Sequence, residues 1–163
     1  MFDKIKAKKK FDGTIEWKTW MPLSLIIYLC LKEIKDPEYP YYLYNLNVLH
    51  IEGNVIEISN TDQILFISIF IIPTYNLCSM TSVIGLSVEN TLLHSSVFKI
   101  LFSFFPIDWG WNFCINIPSD MHVSGLNVTK QLNDRERISA AIENSSIRNV
   151  IKSSYSKKNI KFL

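Results

Sequence analysis

The run of residues 64–72, ILFISIFII, limits the possible folds of this chain more than any other feature. It is apolar at nearly every position, is rich in Ile and Phe, and stops at Pro73. A second apolar stretch, residues 20–31, is followed at once by charged residues. Because both are shorter than the ~18 apolar residues that cross a bilayer, each must be buried inside a folded protein. We predict that residues 64–72 form a central strand covered on both faces.

Length and composition fit one domain. The chain has 163 residues, of which 48% are hydrophobic and 20% are charged, and a chain of this size buries about two-thirds of its unfolded surface. We predict a single domain over residues 1–163, with a basic lead-in at 1–12 and a basic tail at 153–163 that is loosely held or adds an edge strand. Acidic residues separate the N-terminal lysines from the first apolar stretch, so we predict a cytosolic protein without an export signal or membrane span.

The remaining pattern alternates helices with strands. The predicted elements are a helix at residues 22–34, a hairpin of 48–51 with 55–58, a helix capped by Ser87 and ended by Pro106, a strand at 109–117, a polar loop at 119–129 and a helix over 134–142. The sum is an α+β domain, with a mainly antiparallel sheet and helices packed on one side.

Strong catalytic and metal-binding motifs are absent from the sequence. The five glycines are isolated, which excludes ordinary phosphate and dinucleotide loops, and no Gly-x-Ser-x-Gly or His-Glu-x-x-His occurs. Cys30, Cys78 and Cys114 are widely spaced in apolar surroundings, a pattern typical of buried reduced thiols. We therefore predict a protein that is not an enzyme, with no catalytic residue, no cofactor and no metal site.

Charge is distributed unevenly and favours a basic protein partner. Residues 41–129 hold Lys99 against six acidic residues, a net charge of −5, whereas residues 130–163 carry +5. Because the basic residues cluster near the two ends and the pI is near 8.4, nucleic acid is not the expected partner. The predicted contact residues are Glu52, Glu57, Asp62, Glu89, Asp108, Trp109, Asp120 and Tyr42. For the tyrosines at 39–44 the favoured interpretation is packing on the sheet, and at least one neighbouring Trp is expected in the core.

The chain resembles the immunity proteins of bacterial contact-dependent inhibition and related polymorphic toxin systems. The likeness lies in a small α+β domain without catalytic motifs, rich in Ile, Asn, Ser and Lys, with an acidic middle. Residues 60–132 resemble the enhanced-serine-sensitivity family in their order of strand, helix and NFCINIP segment, although Ile117 interrupts the expected Asn-Pro. The resemblance implies a cytosolic inhibitor that occludes the active site of a basic, nuclease-type toxin, and it transfers no functional residue.

Two alternatives stay open. His50 and His122 could act as the acid–base pair of a small RNA-processing enzyme, although each is also explained as an ordinary strand or loop residue. Alternatively, the chain is a non-enzymatic assembly subunit whose edge at residues 39–44 adds a strand from another chain. The sequence leaves the oligomeric state open.

Overall fold

The computed structural model describes residues 21–49, 56–61, 63–103 and 109–154. Within these ranges the helices are α1 Met21–Leu31, α2 Thr81–His94, α3 Ser96–Phe102, α4 Gly125–Leu132, α5 Arg135–Glu143 and α6 Ser145–Ser154. The strands are β1 Ile56–Thr61, β2 Ile64–Phe70 and β3 Gly110–Asn116. The predicted α+β class is confirmed.

Strand β2 lies at the centre of the sheet, as its apolar run predicts. The strand order is β1-β2-β3, with β1 antiparallel and β3 parallel to β2. The prediction of a mainly antiparallel sheet is therefore wrong for the described strands. The reason is the connection: the chain leaves β2, passes through α2 and α3, and returns as β3, and such a crossover joins parallel strands.

Residues 56–58, which were predicted to pair with residues 48–51, pair with β2 instead. Residues 56–58 begin β1, but β1 pairs with β2 in a register that sets Ile58 opposite Ile67. The turn between the two strands includes Gln63, whose φ of 64° places it in the left-handed region. Val48 and Leu49 are buried outside any strand, and residues 50–55 lie outside the described part of the chain. Composition identified the strand-forming residues, but it carries no information on which strands pair.

One face of the sheet forms the core. In register on this face are Leu65, Ile67 and Ile69 of β2 and Trp111, Phe113 and Ile115 of β3. Phe98 of α3 packs on Trp111 and Phe113, with ring centroids 5.6 and 5.0 Å away, so core packing of one Trp is confirmed. The opposite face of β2, which carries Phe66 and Phe70, is half-buried. Strand β2 is therefore fully buried on one face and half-buried on the other, whereas the sequence predicted burial on both faces.

The C-terminal end of the outer edge of β3 is capped by a side chain of α4 and by the residue after that helix. The side-chain amide of Asn133 accepts a hydrogen bond from the Ile115 N–H at 3.1 Å and donates one to the Ile115 carbonyl at 2.8 Å. Thr129 Oγ1 accepts from the Ile117 N–H at 2.9 Å. These two polar side chains satisfy backbone groups that a fourth strand would otherwise pair with.

Helix α1 agrees with the sequence prediction, with Leu23, Ile27 and Leu31 buried, and it packs on α2 and β1. Helix α2 begins at Thr81, six residues before the predicted cap at Ser87. Ser87 is instead buried inside the helix, and its hydroxyl donates to the Val83 carbonyl at 2.9 Å. The predicted single helix is divided at the extended residue Ser95, after which α3 begins.

The C-terminal half is more helical than its polar composition indicates. Residues 125–129, predicted as loop, begin α4, and residues 145–154 form α6. The predicted start of α5 is confirmed, because Asp134 accepts hydrogen bonds from the N–H groups of Glu136 and Arg137. Helix α6 packs on α2 and buries Ile151. The predicted lead-in and residues 155–163 lie outside the described chain.

The tyrosines at 39–44 do not pack on the sheet. Tyr39, Tyr41 and Tyr44 are exposed in a series of turns. The ring of Tyr42 stacks on Tyr44 with centroids 5.9 Å apart, and Lys35 Nζ lies 6.0 Å from the Tyr42 ring centroid. Residues 38–48 form bends and turns, in which Tyr42 makes one isolated antiparallel bridge to Lys35. Because no strand forms there, the predicted strand-adding edge is wrong. Among the described residues, no helix combines the length and apolar character needed to cross a membrane.

Candidate functional site

The predicted contact residues are distributed over several elements. Three of them, Glu52, Asp62 and Asp108, lie outside the described residues. Glu57 is on β1 opposite Ser68, and Glu89 is on α2. Trp109 precedes β3, Asp120 follows it, and Tyr42 lies in the turns after α1. Asp120 is exposed, whereas Glu89 and Trp109 are half-buried. Burial raises the pKa of Glu89, opposed by the nearby Arg135, and its Oε2 atom has no hydrogen-bond partner. Glu89 thus belongs to a helix-packing face rather than to an open acidic surface.

A denser polar cluster forms where three distant segments meet. Glu38 accepts hydrogen bonds from the hydroxyl groups of Tyr75 and Ser79, each at 3.2 Å. Asp36 holds this turn in place, because its Oδ1 accepts from the N–H groups of Glu38 and Tyr39 at 2.8 and 2.9 Å. An Asp followed by Pro favours such a turn, since Pro fixes its own φ and the carboxylate bonds to the backbone beyond it. The turn after α1 is thereby tied to the segment that leads into α2.

Cys78 and His122 join two loops at the same place. We call residues 71–80 and 117–124 the loop pair. Imidazole Nε2 of His122 lies 3.1 Å from the Cys78 carbonyl oxygen, and Nδ1 accepts from the Ser124 N–H at 3.1 Å. Because Nδ1 is an acceptor, the proton resides on Nε2 and is donated to Cys78. The Thr81 hydroxyl also donates to this carbonyl, at 2.9 Å.

His122 is therefore a structural residue. Its side chain is 8% exposed and both ring nitrogens bond to the backbone, so neither is available to exchange a proton with a substrate. His50 lies outside the described residues. The acid–base pair proposed for an RNA-processing enzyme is contradicted by this placement of His122.

The phenol of Tyr75 in this cluster is an unusually weak acid. Partial desolvation, then the nearby Cys78 and Glu38 together with the hydrogen bond to Glu38, raises the pKa of the phenol to about 12. The hydroxyl thus stays a hydrogen-bond donor to Glu38 well above neutral pH. This donor and the Ser79 hydroxyl hold both oxygens of one carboxylate.

The three cysteines are free thiols, as predicted, but they lie on separate elements. Cys78 is buried in the loop pair, whereas Cys30 on α1 and Cys114 on β3 are half-buried. Burial raises the pKa of Cys30, and the Ser95 hydroxyl, which lies 3.7 Å from its Sγ, acts in the opposite direction. In the described part of the chain, no three His, Cys, Asp or Glu side chains are grouped in a way that could hold a metal ion.

Comparison with known proteins identifies the family. No family model matches the chain. It is 36% identical over 120 residues to cytosolic iron-sulfur assembly component 2B of Dictyostelium discoideum, a match that covers 74% of this chain and 64% of that protein. It is 35% identical over 127 residues to MIP18 family protein galla-2 of Drosophila melanogaster, covering 77% and 70%. The chain belongs to the MIP18 family. Protein AE7-like 1 of Arabidopsis thaliana is 34% identical over 127 residues, covering 78% and 73%.

Membership of the MIP18 family corrects the resemblance to bacterial immunity proteins. The relatives come from eukaryotes and two are named as iron-sulfur assembly components, so the predicted toxin inhibitor and its basic toxin partner are both wrong. The prediction of a non-enzymatic protein agrees with relatives named as assembly components, and the predicted cytosolic location agrees with the word cytosolic in their names.

Sequence reasoning missed most of the polar cluster. The sequence indicates His122 as a candidate base, but nothing in it connects Glu38, Tyr75 or Cys78 to that residue. The available signal was the uncharged segment 74–81, which follows the apolar run 64–72 and Pro73, since loops often carry function.

Proposed function

We propose that this chain is a non-catalytic subunit of the cytosolic iron–sulfur assembly machinery. The observation that carries the proposal is the identity of 34–36%, over about three-quarters of the chain, to proteins named cytosolic iron-sulfur assembly component 2B in Dictyostelium discoideum and Mus musculus. This corresponds to the assembly-subunit alternative, without the added strand on which that alternative depended.

The residues support a role in joining proteins rather than in holding the iron–sulfur cargo alone. Iron–sulfur clusters are usually bound by four thiolates, and this chain has three cysteines. Those three lie on α1, the loop pair and β3, and the Cys30 and Cys114 side chains contact Ser95 and Asn116 respectively. We infer that any cluster delivered with the help of this chain is ligated mainly by other proteins.

The loop pair supports the same proposal. It is built from segments that are far apart in sequence and is held by hydrogen bonds from His122, Thr81 and Val123 to backbone carbonyls. A surface that is ordered before binding loses less conformational entropy when a partner docks. Such a surface suits an adaptor that must hold two proteins in a fixed relation.

The proposed function can be tested by replacing a relative in its own cells with this chain. Schizosaccharomyces pombe has MIP18 family protein C144.16, which is 34% identical to this chain over 125 residues. We expect this chain to restore incorporation of radioactive iron into cytosolic iron–sulfur proteins in cells depleted of that protein, with mouse component 2B as the positive control and an empty vector as the negative control.

Co-purification provides the second readout. From its own cells, the tagged chain should recover other iron–sulfur assembly proteins in stoichiometric amounts. If incorporation is not restored while the mouse protein restores it, and no assembly protein co-purifies, the proposal is wrong.

A further inference from the structure

Exposed apolar side chains are concentrated on the loop pair and the first turn of α4. Val123, Leu77 and Leu126 are 72%, 69% and 65% exposed, the highest values among the large apolar residues described. Tyr75 and Met121 beside them are 40% and 43% exposed. Folded proteins rarely leave a contiguous group of this kind in water unless it binds something.

A backbone hydrogen bond brings together the two loops that carry these side chains. The Val123 N–H donates to the Asn76 carbonyl at 3.0 Å, so Val123 lies beside the residue that Tyr75 and Leu77 flank in the chain. Two residues further on, Gly125 donates to the His122 carbonyl at 2.9 Å and begins α4, which carries Leu126 in its first turn. The apolar side chains therefore stand on a backbone whose conformation is fixed from both loops.

Acidic groups border the part of this surface that the loop pair forms. Residues 36–42, 71–80 and 117–126 contain Asp36, Glu38 and Asp120 and no Lys or Arg, and Lys130 of α4 follows Leu126 by one helical turn. The neighbouring Lys35 directs its ammonium group toward the ring of Tyr42. Glu38 contacts Tyr75 directly, and Asp120 precedes Met121 in the chain. An apolar centre with acidic groups at its border is complementary to apolar side chains flanked by basic ones.

We infer that Tyr75, Leu77, Met121, Val123 and Leu126 form a docking surface for a protein partner that presents apolar side chains flanked by Lys or Arg. The inference deepens the proposed function, on which it rests, by naming the contact surface and the chemistry of the partner. Apolar contacts supply the affinity, whereas the acidic border increases the rate of association and makes binding sensitive to salt.

Site-specific photocrosslinking identifies the partner. A benzoylphenylalanine is placed at position 123 of the full chain in its own cells, and a matched one at position 29, where Leu29 of α1 is 46% exposed. Position 123 should crosslink to a protein through a segment that contains apolar and basic residues, whereas position 29 should not crosslink to that protein. Crosslinks from position 123 to a second copy of this chain alone would overturn the inference.

Affinity measurements with the purified crosslinking partner complete the test. The Leu77→Asp/Val123→Asp variant should bind at least tenfold more weakly, while the matched Leu25→Asp/Leu29→Asp variant, also at exposed positions, binds as the wild type does. Asp120→Lys should weaken binding several-fold at low salt and flatten the dependence of Kd on salt. Circular dichroism shows whether each variant is folded.

The outcomes separate this inference from the proposed function. If the Leu77→Asp/Val123→Asp variant is folded and still co-purifies with iron–sulfur assembly proteins at wild-type affinity, the docking surface is wrong and the function stands. If the Leu77→Asp/Val123→Asp variant loses binding to a partner that has no part in iron–sulfur assembly, the docking surface is confirmed and the proposed function is wrong. If binding is tight and changes neither with salt nor with the Asp120→Lys substitution, the inference that the partner presents basic residues is wrong.

Discussion

The imidazole of His122 donates a hydrogen bond to the carbonyl of Cys78 across 44 positions of the chain. The same ring accepts from the Ser124 N–H, so one buried side chain connects the segment before α2 with the segment before α4. Together with the hydrogen bond from the Val123 N–H to the Asn76 carbonyl, this side chain holds the two segments of the loop pair together.

Replacement of His122 by alanine should therefore destabilise the protein. The variant leaves the Cys78 carbonyl with fewer donors and the Ser124 N–H without its acceptor, and we expect a loss of about 2–3 kcal/mol in the free energy of unfolding. Urea denaturation measures this loss. His94→Ala is the matched control, because His94 bonds only within its own helix on an exposed face, and it should change stability by less than ~0.5 kcal/mol. Equal effects of the two substitutions would contradict the assigned role.

Gly85 allows α2 and α4 to approach closely. A Cβ atom at this position would overlap the buried side chain of Leu132. Alanine gains about 1 kcal/mol of helix propensity over glycine, but overpacking typically costs about 1–3 kcal/mol. We expect Gly85→Ala to be destabilising by about 1 kcal/mol in the wild type and stabilising in a Leu132→Ala background. A double-mutant cycle of thermal or urea unfolding measures this change of sign.

The Asn133 amide should contribute measurably to stability. Alanine at this position removes the partners of both backbone groups of Ile115 and a donor to the Thr129 carbonyl, so we expect a loss of about 2 kcal/mol. Asn133→Asp should lose as much stability as the alanine variant, since a carboxylate can still accept from the Ile115 N–H but cannot donate to the Ile115 and Thr129 carbonyls. Asn127→Ala, at an exposed position of α4, serves as the control in the same denaturation series, and a comparable loss there would argue against the role of Asn133.

The phenol of Tyr75 should ionise at a higher pH than an ordinary tyrosine. Its pKa is raised to about 12, so the ultraviolet titration of the wild type minus that of Tyr75→Phe should show ionisation of one phenol above pH 11. Glu38→Gln should move this titration toward the ordinary value of about 10. Between pH 10 and 12 the folded state retains a proton that the unfolded state has lost, so the contribution of Tyr75 to stability falls as pH rises in this window. A difference spectrum that titrates near pH 10 would contradict this environment.

The sequence predicted the elements whose signals are local. Helix α1 shows a helical spacing of apolar residues, β2 is a continuous apolar run, and Asp134 caps α5 with its own side chain. Helix α6 is not indicated by its composition, because its apolar residues are Ile147, Val150 and Ile151 alone and the rest is Ser, Asn, Arg and Lys. Tertiary packing on α2, rather than local composition, makes this segment helical.

The candidate site could not be predicted for a related reason. Its residues come from positions near 36, 78 and 122, and their proximity follows from the crossover between β2 and β3. The fold class alone does not give this arrangement. The resemblance to immunity proteins failed because it rested on composition and element order, which unrelated α+β proteins share, whereas membership of the MIP18 family rests on residue identity over most of the chain.

The capped end of the β3 edge also has a consequence for the behaviour of the protein at high concentration. An open strand edge is a template on which identical chains can polymerise into fibrils. Asn133 and Thr129 occupy the backbone groups of Ile115 and the N–H of Ile117 that such a template would use. The two side chains thus shorten the edge on which an identical chain could add, and a protein that lacks them should form fibrils more readily.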